Sequence, residues 1–263
     1  MDNRAIGILD AGFSGLAAVR ELCSLLPHED IVYYSDITHF PYEKENADSV
    51  REYVCRGAEF LAEKDVKLIL NVCDCGCPEP NDDILCMGMQ LPAAQAACSS
   101  TRNGKIGIIG STSAAQSGTI SKAVKTIRPG TSVIGSISTL VSPAVLGGYP
   151  VRNPDLFSAV LEDCISPLRN EGADTMILGN MFFEFTAELV RAAVGAQVTV
   201  VSPVHEAVRA AELMLFERGM LSENSGAGNV SYFINGNHEF FKEHASRLCG
   251  GRLNGKICGC TVV

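Results

Sequence analysis

Ile6-Gly-Ile-Leu-Asp-Ala-Gly-Phe-Ser-Gly15 is a short apolar run that passes through an aspartate into a turn of small residues, and the helical pattern of 15–26 follows it. Four consecutive residues with no polar face suit a strand buried on both sides, which is the environment of a central parallel strand. Ile106-Gly-Ile-Ile-Gly-Ser-Thr-Ser113 repeats the same progression a hundred positions later, and Leu68-Ile-Leu-Asn-Val-Cys73 is echoed by Thr175-Met-Ile-Leu-Gly-Asn180. Further apolar runs at 31–34, 132–136, 197–201 and 230–234 alternate with helical periods at 47–64, 113–126, 155–170, 185–194, 203–218 and 239–248. Alternation of this kind predicts an α/β fold: two similar doubly wound α/β domains with mainly parallel sheets. The expected domains are 1–98 plus 203–263, and 99–202, with strand-end loops of both facing one cleft that would take a small ligand.

The 263 residues are 46% hydrophobic and 19% charged, with a net charge of −9, which suits a globular protein with a substantial core. No basic stretch is interleaved with aromatics and no apolar run approaches the roughly 20 residues of a membrane span. The expected partners are therefore a small-molecule substrate, with no nucleic acid and no membrane, and with a homodimer left open. No signal-peptide pattern precedes the first strand, so the expected location is cytoplasmic. In that setting most of the 11 cysteines should be reduced thiols. Cys23, Cys55, Cys98 and Cys164 lie in helical patterns and read as small buried hydrophobes, with Cys86 similar. Cys73, Cys75, Cys77, Cys258 and Cys260 lie in loop-like sequence and need another account.

Cys73 ends the apolar run of 66–72, and Gly76, Pro78 and Pro80 forbid a helix after it, so Cys73-Asp-Cys-Gly-Cys-Pro-Glu-Pro-Asn81 reads as a loop at a strand's C-terminal end. In an open α/β sheet ligands bind at that edge. Gly12-Phe-Ser-Gly15 and Gly110-Ser-Thr-Ser-Ala114 could offer backbone N–H groups to a carboxylate or phosphate there. Neither has nucleotide-binding spacing, which excludes a dinucleotide or ATP site.

Ile6–Leu16, Tyr34-Ser-Asp36, Pro41-Tyr42, Asn71-Val-Cys-Asp-Cys75, Ile106–Gly110, Leu178-Gly179 and Tyr232-Phe-Ile-Asn-Gly-Asn-His-Glu-Phe-Phe241 together resemble the aspartate/glutamate racemase family, and most closely its glutamate racemases. The resemblance implies an isomerase without a cofactor, in which two cysteines act from opposite faces of a substrate α-carbon. Cys73 matches the first cysteine and Asp10 the acidic residue beside it. Ala11, Pro41, Tyr42, Asp74, Cys75, Ser111, Asn180 and Met181 fall at substrate-side positions, with Asp74 and Cys75 standing for the usual Asn-Thr.

At the second half-site, Leu178-Gly-Asn180-Met181-Phe182 stands where the family has Leu-Gly-Cys-Thr-His, so both the thiol and the histidine are replaced. This departure leads to the expectation of a repurposed enzyme acting on a small carboxylate or thio-compound. In that reading Cys73, Cys75 and Cys77 hold a soft metal ion or an iron–sulfur cluster, with Cys258 or Cys260 as further ligands, because thiolates favour such ions. The alternatives are a redox-active thiol loop, a single-cysteine carbon-acid isomerase, racemase or decarboxylase without metal, and a catalytically inactive binding protein. Asp36 and His39 lie close to the substrate-side loop, and His205 lies near a strand end.

Overall fold

The computed structural model describes residues 1–42, 45–73, 83–110, 118–251 and 253–262. The chain forms two compact units, Met1–Met89 with Ala207–Val263, and Gln90–Glu206. Both are α/β with parallel sheets, as the alternating pattern predicts.

The first unit is built on β1 (Ile6–Asp10), β2 (Ile31–Asp36), β3 (Leu68–Asn71), β4 (Leu85–Gly88), β9 (Val230–Asn235) and β10 (Lys256–Cys260), in the spatial order β10-β9-β2-β1-β3-β4. Its helices include α1 (Leu16–Leu25) and α2 (Ala47–Glu63). Every residue of β1 and β3 is buried, which is why those strands lack alternation in the sequence. Leu9 is in register with Asn71 on one side, and Asp10 with Ser35 on the other, so β1, β2 and β3 end together. The chain leaves β1 toward β2 and returns on the far side as β3. The crevice between the ends of β1 and β3 is therefore a topological switch point, where α/β sheets take their ligands.

The second unit repeats the device with β5 (Lys105–Gly110), β6 (Ser132–Ile137), β7 (Thr175–Leu178) and β8 (Thr199–Val201), in the order β6-β5-β7-β8. Its switch point lies between β5 and β7, where Ile109 is in register with Leu178. Residues 90–98, assigned to the first domain from the sequence, form part of α3 (Gln90–Ser100), which packs on β7, β8 and α4 (Thr119–Ile127) in the second unit. Ala93, Ala94 and Ala97 share a core there with Ile106, Val124 and Ile177. The low bulk of those alanines lets the helix lie close to the sheet.

Local signals in the sequence account for several helix ends. Asn46 caps α2, its side chain accepting from Asp48 and Ser49 N–H at 3.1 and 2.9 Å. Asn153 caps the helix Pro154–Asn170 by accepting from Leu156 N–H, with proline at the first helical position. Gly172 stops that helix with a φ of 78°, a left-handed conformation that a side chain would disfavour. Among the described residues no helix is long and apolar enough to cross a membrane.

Asp174, just before β7, fastens the second unit. Its carboxylate accepts from the Thr101 hydroxyl at 2.6 Å, from Arg102 and Asn103 N–H at 2.8 Å each, and from the Thr175 hydroxyl at 3.1 Å. Partial burial alone would raise its pKa, but those donors outweigh it and hold the group below 3.8. A depressed folded-state pKa gives stability that is present above the unfolded value and lost as the pH falls through the folded one. Asp174→Asn should therefore lower stability at neutral pH by about 1–3 kcal/mol, with the deficit shrinking below pH 3.8. Urea titrations of both proteins at several pH values measure this; a deficit independent of pH refutes the electrostatic account.

Candidate active site

Asp10 closes β1 with its side chain 2% exposed and its carboxylate fully engaged. Oδ1 accepts from Gly12 N–H at 3.1 Å and the Ser14 hydroxyl at 3.2 Å, while Oδ2 accepts from Gly15 N–H at 2.7 Å and the Tyr33 hydroxyl at 2.5 Å. The turn at 11–15 is thus wound around one carboxylate. Gly15 is required because a Cβ there would come within 2.9 Å of Oδ2. Burial raises the Asp10 pKa, and the four donors offset part of that rise. The same turn is held from β2, since the Ser35 hydroxyl donates to the Gly12 carbonyl. Ala11, half-buried, packs on the apolar cluster that contains Leu9, Tyr34 and Cys73.

Across the switch point, Cys73 is a buried cysteine outside any disulfide, 7% exposed, two residues past β3. Its N–H donates to the Asn71 side chain at 3.0 Å, which turns the chain as it leaves the sheet, and Sγ lies 3.8 Å from the Leu9 carbonyl. The thiol is held against β1, beside the strand that carries Asp10.

Tyr42 lies near this thiol. Burial pushes its phenol far above the usual range, and the charges of Cys73 and Asp36 push the same way. Its hydroxyl donates to Asp36 Oδ2 at 2.9 Å. Pro41, half-buried, follows a cis peptide bond from Phe40. Asp36, 1% exposed, also accepts from Asn235 Nδ2 at 3.0 Å, which joins β9 to the site. Asn235 is not among the expected site residues, although its segment, Tyr232–Phe241, carries part of the family resemblance. Tyr33 was missed as well. Its position in an apolar strand gives no hint that its hydroxyl reaches Asp10.

In the second unit Asn180 follows β7 and caps the 3₁₀ helix Met181–Thr186, its Oδ1 accepting from Phe182 N–H at 2.8 Å and its Nδ2 donating to the Ser142 hydroxyl at 3.1 Å. Met181 is half-buried at the start of that helix. Further on, Glu184 accepts from the Ser202 hydroxyl and from Val204 N–H, at the N-terminus of the helix Pro203–Glu217. Asp74, Cys75, Cys77 and Ser111 lie outside the described residues.

Cys258 and Cys260 are not in a loop. They lie on β10, an edge strand parallel to β9, as free half-buried thiols, and burial pushes Cys260 up to about 11. Cys86 is not a reduced core residue either: it is on β4 and disulfide-bonded.

No family model matches the chain. A glutamate racemase of Symbiobacterium thermophilum is 30% identical over 263 residues, spanning 95% of this chain and 92% of that protein. Another, of Streptococcus pneumoniae, is 33% identical over 221 residues, 82% of this chain and 83% of that one. The chain belongs to the glutamate racemase family. Among solved structures, the glutamate racemase RacE1 of Bacillus anthracis superposes with a TM-score of 0.88 over 100% of this chain and 99% of its own, at 24% identity. The Francisella tularensis glutamate racemase, solved with D-glutamate, gives 0.84 at 19% identity over 100% of this chain and 98% of its own. These two structures share the fold of this one.

Relatives in the glutamate racemase family that match along almost the whole chain overturn the expectation of a repurposed enzyme or an inactive binding protein. The metal and iron–sulfur readings fall with it. Among the described residues no group of three or more His, Cys, Asp or Glu side chains is placed to hold a metal ion. Cys258 and Cys260, the further ligands then expected, are strand residues of the sheet edge. The expectation drawn from Asn180 at the second half-site does not remove the chain from the glutamate racemase family.

Proposed function

We propose that this protein is a glutamate racemase that interconverts the two enantiomers by moving the α-proton, with Cys73 as one acid–base group. The observation that carries this reading is Cys73 itself, a cysteine outside any disulfide at the switch point of β1 and β3, in a chain whose relatives along almost its whole length are glutamate racemases. Carbon-acid chemistry asks for a base fixed beside the α-hydrogen and for donors aimed at the carboxylate, into which the electron pair is delocalised. The thiol, held between Asn71 and Leu9, meets the first demand. Asp10 serves as a positioning residue, because its oxygens are committed to the turn at 11–15. No cofactor enters this scheme.

The test is direct. L-glutamate and D-glutamate are each incubated with the protein in deuterium oxide, following the α-hydrogen by proton NMR and the enantiomer ratio by chiral chromatography. Loss of the α-hydrogen with formation of the opposite enantiomer is expected. If neither happens with glutamate while aspartate is turned over, the substrate is misassigned; if neither happens with either amino acid, the reading is wrong.

A further inference from the structure

Cys258 and Cys260 take no part in the chemistry assigned to Cys73, yet the strand that carries them sets them up as a pair. They are two residues apart on β10, in register with Phe233 and Asn235 of β9. Successive residues of a strand face opposite ways, so both thiols belong to one face of the sheet, and Ile257 and Gly259 to the other. The face of the thiols is the one that α2 covers. Cys260 packs against the apolar cluster that contains Val54, Ala58 and Leu61 of that helix, and Phe233, level with Cys258, places its ring 5.4 Å from that of Phe60. On the opposite face a Cβ at Gly259 would come 3.8 Å from His238.

At about 3.3 Å per residue the two Cα atoms are roughly 6.6 Å apart, inside the span that a disulfide bridges and near its upper end. Both residues are half-buried and outside any disulfide, and Gly259 between them is exposed. β10 is an edge strand with β9 on one side only, so its backbone can pucker toward the commoner disulfide separation without breaking a second ladder. The central glycine makes that movement easier. Burial pushes the Cys260 thiol up to about 11, and the Lys64 ammonium, 4.8 Å from the centroid of the Phe233 ring, opposes that rise. A bridge across so short a ring is strained, and strained disulfides are the ones that are readily reduced again. The pair adjoins the network around Asp36: Cys260 is level with Asn235, whose side chain donates to Asp36 and accepts from Val262 N–H at 3.3 Å.

We propose that Cys258 and Cys260 are a reversible dithiol–disulfide pair that exchanges with low-molecular-weight disulfides. The inference stands apart from the glutamate reading. Cys258 gives its proton to water, and its thiolate attacks the small disulfide, forming a mixed disulfide and expelling one small thiolate. Cys260, deprotonated in turn, attacks the Cys258 sulfur, forming the Cys258–Cys260 bond and expelling the second. Each departing thiolate takes up one of the two protons released. The protein loses two electrons and the small disulfide gains them, and an excess of small thiol drives the exchange backward.

The full chain is equilibrated with reduced and oxidised glutathione over a range of ratios, free thiols are trapped with iodoacetamide, and the tryptic fragment cut after Lys256, which holds both cysteines, is weighed by mass spectrometry. Toward the oxidising end this fragment should become lighter by two hydrogens, its double alkylation should fall about tenfold or more, and dithiothreitol should restore it. Cys260→Ser should instead stop at a glutathione adduct on Cys258, which shows that the bridge closes within the pair. Double alkylation unchanged over the whole range overturns the inference. So does a glutathione adduct that persists on Cys258 in the parent, or a bond from either cysteine to another part of the chain.

Discussion

Cys73→Ser should reduce interconversion of L- and D-glutamate by about 1,000-fold or more, within the range that a positioned acid–base group supplies. The substitution is close to isosteric and changes the acidity of one atom, so it separates chemistry from architecture. Sγ lies 3.8 Å from the Leu9 carbonyl, a weak interaction that a serine hydroxyl can also make. The chain direction at this point is set by the Asn71 side chain accepting from the Cys73 N–H, which the mutation leaves in place. Stability should therefore change by less than about 1.5 kcal/mol, and thermal melting should show a folded variant. Interconversion within about tenfold of the parent in a folded Cys73→Ser protein would remove Cys73 from the chemistry.

The fold was legible where burial is two-sided. Thr175–Leu178 reads as a strand and is one, residue for residue, because an uninterrupted apolar run between turn signals has few other outcomes. β4 and β10 were missed for the converse reason. They are the two edge strands of the first sheet, only half-buried, and Leu85-Cys-Met-Gly88 and Lys256-Ile-Cys-Gly-Cys260 carry few of the branched or aromatic residues that mark a strand. Their pairing comes from neighbours distant in the chain. Cys86 shows the limit of arguing redox state from context: chain length and a helical pattern favour a buried thiol, and the structure places a disulfide there.

At the site, Asp10, Cys73 and Tyr42 could be found because each sits beside a strand end or in a short motif. The partners that give them geometry could not. Tyr33 is 23 residues from Asp10, and Asn235 is 199 from Asp36, so only the sheet register brings them together. The metal reading falls to the glutamate racemase relatives and to the absence, among the described residues, of any group of three His, Cys, Asp or Glu side chains placed to hold a metal ion. Cysteines two residues apart on an extended strand, such as Cys258 and Cys260, lie along an edge and do not surround a point.

The largest loss of stability is expected from Lys67→Met. Lys67 lies in the apolar run that leads into β3, and its side chain is 0% exposed. It pairs with Glu29 Oε2 at 2.6 Å and donates to the Asp2 and Met220 carbonyls at 2.6 and 2.8 Å. Glu29, 3% exposed in its side chain, accepts from Ser222 N–H through its other oxygen at 2.8 Å. One buried pair thus ties the chain's first residues and its returning segment to the foot of the strand that delivers Cys73. A methionine of similar length would fill the space but leave the Glu29 carboxylate buried without its counter-charge and two carbonyls without donors. Breaking a buried pair from one side costs about 3–5 kcal/mol, and at about 2–4 °C per kcal/mol for a chain of this size the melting temperature should fall by roughly 6–20 °C. Adding Glu29→Gln, which still accepts from Ser222 while removing the stranded charge, should recover part of the loss. Calorimetry of the parent, the two single variants and the double variant checks the argument: additive losses would show that the two side chains stabilise the fold independently, and the account of a strut built on their mutual attraction would have to be abandoned.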